Sequence, residues 1–107
     1  MVIFIDIDGT MRDYRYGFMP SSHTALDRAH EAGHTLILCT GRTVGMIPYD
    51  VPLEKFDGMI AGGGCHLVYR GKVIEDSFIP DETVSRYRRY FEENGVPISL
   101  RLWRAYS

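Results

Sequence analysis

Apolar residues come in short blocks separated by glycine, proline and charge, and the blocks alternate between strand-like and helix-like spacing. Val2-Ile3-Phe4-Ile5 is uninterrupted and mostly β-branched, which predicts a strand buried on both faces of a parallel sheet. Met11 to Pro20 is polar and aromatic, contains Gly17, and reads as a loop. Ala25, Leu26, Ala29 and Ala32 then recur at helical spacing. Ser21 or Ser22 can cap the start and Gly33 suits the residue just past the end, so the pattern predicts a helix over about residues 22–32. His34 to Cys39 reads as a second buried strand, completing a β-α-β unit with parallel strands and a right-handed crossover. Thr43 to Ile47 reads as a short helix limited by Pro48 and Pro52, and Phe56 to Ala61 as a third strand ended by Gly62-Gly63-Gly64. His66–Tyr69 and Val73–Ile74 flank a glycine-containing turn, which is a hairpin signal. Asp81 opens a helix through about Glu93, with Val84, Tyr87, Arg88 and Phe91 on one stripe and Gly95 beyond its end; Pro97 to Trp103 reads as another strand. The fold class is α/β, a Rossmann-like parallel sheet carrying a β-hairpin.

With 107 residues and 45% hydrophobic content the chain suffices for one modest core. A net charge of -2 argues against a general nucleic-acid or membrane-surface binder. Arg86, Arg88 and Arg89 alternate with Tyr87 and Tyr90, and Arg101, Trp103 and Arg104 follow, but an arginine outer face over an aromatic buried stripe explains the pattern better. No basic leader or span of roughly 20 apolar residues is present, so the expected compartment is the cytoplasm. Cys39 and Cys65 form no CxxC and read as reduced thiols, and the four histidines show no ligand spacing.

The first strand drives Asp6 and Asp8 out of an apolar run, and Gly9 lets the backbone turn away at once. In open α/β sheets this carboxyl end is where ligands bind. A carboxylate can attack a phosphoryl group when a metal ion offsets the anionic repulsion, and a second carboxyl group can protonate the leaving oxygen. So close a pair is expected to titrate apart, one acid ionised and the other more easily protonated. Thr40, Gly41 and Arg42 end the second strand at the same edge. Thr40 and the N–H groups around Ile7 to Gly9 could donate to phosphate oxygens, and Mg²⁺ would take Asp oxygens, a carbonyl and water. Arg42 fits equally a surface ion pair or an anionic substrate.

Phe4-Ile5-Asp6-Ile7-Asp8-Gly9-Thr10 resembles the first motif, DxDGT, of the haloacid dehalogenase-like (HAD) phosphatases. Leu38-Cys39-Thr40-Gly41-Arg42 resembles the second, as found in their Cof-type sugar-phosphatase branch. Ile60 to Ile74 is similar to the third strand, turn and hairpin that precede the cap in that branch, with Gly63 where asparagine is usual. The resemblance implies residues 1–80 as a partial HAD core with its hairpin and 81–107 as the start of an α/β cap. It implies Asp6 as the nucleophile forming an aspartyl-phosphate and Asp8 as acid, then base. Gly9, Thr10, Thr40, Gly41 and Arg42 would hold the phosphate. The Asp6 side chain, with the Ile7 or Asp8 carbonyl, would bind Mg²⁺, and the substrate would be a small phosphorylated metabolite. The third-motif lysine and the GDxxxD-like fourth motif do not occur in the sequence, and Lys55, Lys72 and Asp57-Gly58 are poor substitutes. The chain is therefore expected to be an N-terminal part, weak or inactive alone, with an exposed sheet edge open to homodimerisation. The alternative is a non-catalytic phosphate-binding or oligomerising remnant.

Overall fold

The computed structural model describes residues 1–98. Five strands form one sheet, β1 (Val2–Asp6), β4 (Thr35–Cys39), β5 (Gly58–Ala61), β6 (His66–Tyr69) and β7 (Lys72–Asp76), side by side in that order. β1, β4 and β5 are parallel, with Asp6 opposite Cys39 and Cys39 opposite Ile60; β6 and β7 continue antiparallel. This is the expected α/β sheet with its hairpin.

β1 departs from the two-sided burial expected of it. Ile3 and Ile5 pack on the core, whereas Val2 and Phe4 are 53% and 62% exposed. β1 is an edge strand, and no described element covers the face that Val2, Phe4 and Asp6 share. The core lies on the other face, where the fully buried Ile7, Leu36 and Leu38 meet Leu26 of the crossover helix.

That helix, α1, runs Pro20–Glu31 rather than from residue 22. Pro20 takes the first turn, where its missing N–H costs nothing. Met19 precedes it without a side-chain cap, and Ser22 Oγ instead donates to the Met11 carbonyl at 2.9 Å. Gly33, at φ +87°, ends the helix as expected. The stretch read as a loop holds a two-stranded pair, β2 (Arg12–Asp13) and β3 (Gly17–Phe18), with Met11 and Phe18 buried in the core. Two apolar anchors in a polar run carry too little periodicity to show as strands.

Thr43 to Ile47 becomes a 3-10 turn over Val44–Met46, and a second turn, Leu53–Lys55, precedes β5. β5 starts at Gly58 because Asp57 is used as a tie: its Oδ2 accepts from the Leu36 N–H at 2.8 Å and its N–H donates to the Leu36 carbonyl. The final helix, α2 (Asp81–Glu93), has the expected bounds but buries no residue fully; of the expected stripe Val84 and Phe91 are half-buried and Tyr87 is more than half exposed, so the described residues cover it only in part. Pro97 and Ile98 are not in a strand, and the rest of the strand expected through Trp103 lies outside the described residues.

Candidate active site

Strand ends bring the site together. Asp6 closes β1, and the chain turns around Ile7, whose fully buried side chain anchors the bend in the core. The Ile7 carbonyl accepts from the N–H groups of Thr10, Met11 and Arg12 at 3.1 to 3.3 Å, and Gly9 sits at φ +75°, which an L side chain rarely adopts. The Ile7 carbonyl is thus engaged by three N–H groups of the turn. The donor role expected of the turn is also reduced. The Ile7 N–H donates to Asp6 Oδ1 at 2.9 Å, the Gly9 N–H to the Arg12 carbonyl at 3.0 Å, and the Thr10 N–H to Ile7. Gly9 therefore serves the turn, and Thr10 has only its exposed side chain to offer.

At the end of β4, Thr40 is buried, its N–H donates to the Ile60 carbonyl, and its Oγ1 accepts from the Arg42 N–H at 3.0 Å. That bond leaves the hydroxyl proton available. Asp6, Cys39, Thr40, Gly41, Ile60, Gly63 and Gly64 line one open hollow of about 290 Å³. Gly62, Gly63 and Gly64 all have positive φ, and the loop is sewn to the second strand end by Gly62 N–H to Arg42 O and Gly63 N–H to Thr40 O. Nothing in the sequence signalled Cys39 or Ile60 as walls of the site. The Cys39 thiol, pushed up by burial and by the Asp6 charge, is a poor nucleophile.

Arg42 resolves into an ion pair. Its Nε and Nη2 hold the two Asp8 oxygens at 2.8 and 2.9 Å, and Nη1 donates to the Met46 carbonyl at 2.9 Å. Three of its five donors are spent. Hydrogen bonding to Arg42 holds the Asp8 carboxyl below its ordinary value against the opposing effect of burial, with the Arg42 and Arg12 charges adding to it. A guanidinium fork stabilises the Asp8 anion.

Among the described residues no three His, Cys, Asp or Glu side chains converge as a metal cluster. Mg²⁺ commonly uses one or two carboxylates and keeps several waters. Asp6, on the wall of the hollow, is placed to supply one such carboxylate. No lysine joins it: Lys55 Nζ is committed to Asp27 and His23 at 3.1 Å each, and Lys72 lies on β7.

Residues 3–104 match the haloacid dehalogenase-like hydrolase family. The chain belongs to that family. Among HAD-like relatives, it is 51% identical over 75 residues to the pyridoxal phosphate phosphatase YbhA of Escherichia coli, covering 68% of this chain and 28% of YbhA. Two solved HAD structures share its fold. The subclass IIB sugar phosphatase BT4131 is 33% identical with a TM-score of 0.75, over 88% of this chain and 38% of that one. The phosphatase BT1666 of Bacteroides thetaiotaomicron is 28% identical with a TM-score of 0.75, over 88% and 35%. The chain thus spans about a third of the length of these HAD relatives.

Proposed function

We propose that this chain carries the nucleophile half of a Mg²⁺-dependent phosphomonoester hydrolase acting on a small phosphorylated metabolite in the cytoplasm. The observation that carries the reading is that Asp6 and Thr40 line one hollow at adjoining strand ends while Arg42, two residues beyond Thr40, holds Asp8. Asp6 Oδ1 is tied to Ile7, so Oδ2 attacks phosphorus, the ester P–O bond breaks, and Asp8 gives its proton to the leaving oxygen. Water then attacks the aspartyl-phosphate, Asp8 takes the proton back, and phosphate leaves with Asp6 restored. Arg42 keeps Asp8 in the basic form that the second step needs; a dianionic ester beside it raises the carboxyl again for the first. The Thr40 hydroxyl donates to a phosphate oxygen, with Thr10 and Gly41 flanking. The Asp6 carboxylate and the Asp8 carbonyl would hold Mg²⁺, which would supply charge neutralisation. Pyridoxal 5′-phosphate is the first substrate to try, given the E. coli relative.

Hydrolysis of pyridoxal 5′-phosphate and of an aryl phosphate, with Mg²⁺ and at high protein concentration, tests this. Slow turnover that Asp6→Asn reduces to background, with the circular dichroism unchanged, is expected. No turnover would sink catalysis by this chain.

A second reading, a non-catalytic phosphate-binding or self-associating piece, is favoured by the exposed Val2 and Phe4 on the β1 edge. A light-scattering mass of two chains would support it.

A further inference from the structure

Asp50 lies outside every sequence motif, on the loop between the Val44–Met46 turn and the buried Val51. Both of its carboxylate oxygens are engaged. Oδ1 accepts from Arg12 Nε at 3.0 Å and Oδ2 from the Phe18 N–H at 2.9 Å. Arg12 and Phe18 face each other in the β2–β3 pair, so one carboxylate grips both strands. Gly17 admits it: φ there is +79°, and a Cβ would stand 2.6 Å from Asp50 Oδ2.

From the hairpin the bonds pass inward. The Arg12 carbonyl accepts from the Gly9 N–H at 3.0 Å and the Arg12 N–H donates to Ile7, so the Arg12 backbone closes the turn that presents Asp8. From its other side the same loop reaches Asp8 through Met46, whose carbonyl holds Arg42 while Arg42 holds Asp8. Asp8, Arg42, the 46–50 loop, Asp50, Arg12 and Gly9 form a closed circuit.

We propose that Asp50 is a positioning residue that sets the place of Asp8 from outside the site, by clamping the β2–β3 pair that closes the Asp8-Gly9 turn. The proposal rests on Asp8 being the proton-transfer residue. Asp50 is 42% exposed, and so open an ion pair adds little to global stability. Its directionality is what matters, because a backbone N–H and a guanidinium fix one carboxylate from two sides. The Phe18 N–H, then Arg12, holds the Asp50 carboxyl below its ordinary value, which keeps the clamp charged at neutral pH.

Residue-resolved amide hydrogen exchange on the 107-residue chain tests this with two variants. Asp50→Asn keeps the shape and removes the charge, whereas Gly17→Ala keeps the charge and occupies the carboxylate's space. In both, the Gly9 and Arg12 amides are expected to exchange about tenfold faster and the Arg42 Nε–H resonance to move. The Leu36 and Leu38 amides of β4 should hold their rates. Equal acceleration at Gly9 and Leu38 would make Asp50 an ordinary stabiliser and overturn the proposal. So would an unmoved Gly9 amide beside an accelerated Phe18 amide. Should one variant not fold, the other reads the same contact. No turnover enters the measurement, so its failure leaves the hydrolase reading standing.

Discussion

Replacing Arg42 with alanine removes two bonds to Asp8 and one to the Met46 carbonyl. The side chains of Asp8 and Arg42 are 23% and 32% exposed, so solvent screens the pair only in part. A bidentate charge-assisted contact in that setting contributes about 1.5 kcal/mol, and the neutral carbonyl bond about 0.5 kcal/mol. The sign of the pH dependence follows from Asp8, whose folded carboxyl lies below its ordinary 3.8. The pair's contribution is complete above that ordinary value and disappears as pH falls through the lower folded one. Urea unfolding of wild type and Arg42→Ala, followed by circular dichroism, should differ by about 2 kcal/mol near pH 7. At the lowest pH where both remain folded the difference should shrink to about 0.5 kcal/mol, the share of the Met46 carbonyl. In a double-mutant cycle with Asp8→Ala the coupling should carry the pH-dependent part. A loss of the same size at both pH values would refute the reasoning, because the stabilisation would then come from packing and not from charge.

Three further substitutions probe the frame around the site. Leu38→Ala, at a fully buried position, should cost about 2–5 kcal/mol by denaturant melts, a large share of a domain's stability. Asp57→Ala strands the Leu36 N–H beside a fully buried side chain and should cost about 1–3 kcal/mol, visible as faster exchange of that amide. Gly58→Ala would bring a Cβ to 2.8 Å from the Val68 carbonyl oxygen and 2.9 Å from Ile37 Cδ1, so β5 must part from a neighbour. Calorimetry should show a lower Tm, equivalent to about 1–3 kcal/mol.

The sheet was legible where local chemistry and burial agree. The run into Asp6, the alanine-spaced helix and the Arg70-Gly71 turn each declare themselves within a few residues, and α2 showed both of its ends. What could not be read depends on contacts distant in the chain. Burial of Ile7 pulls the turn inward and exposes Asp6 on the open face. Arg12 and Asp50 are 38 residues apart, and neither is unusual by itself. Arg42 was ambiguous for the same reason, since only the structure sets it against Asp8, 34 residues earlier. For α2, periodicity marked an apolar stripe but could not say whether anything covers it.

The order of the sheet has a consequence for how the chain assembles. Among the described residues β1, β4, β5, β6 and β7 lie side by side in the order in which they are made, so each of these strands docks on an edge already present and none has to be threaded between earlier ones. The β5–β6 and β6–β7 closures are short and keep the entropic barrier low, whereas the parallel β1–β4 and β4–β5 pairings close longer connections and are the slower steps. β4, which joins β1 to β5, is the step on which the parallel sheet depends. Substitutions there should appear as slower refolding, and those in β7 as faster unfolding, on the two arms of a chevron plot. The strand that ends in Asp6 is thus the template on which the later ones are laid.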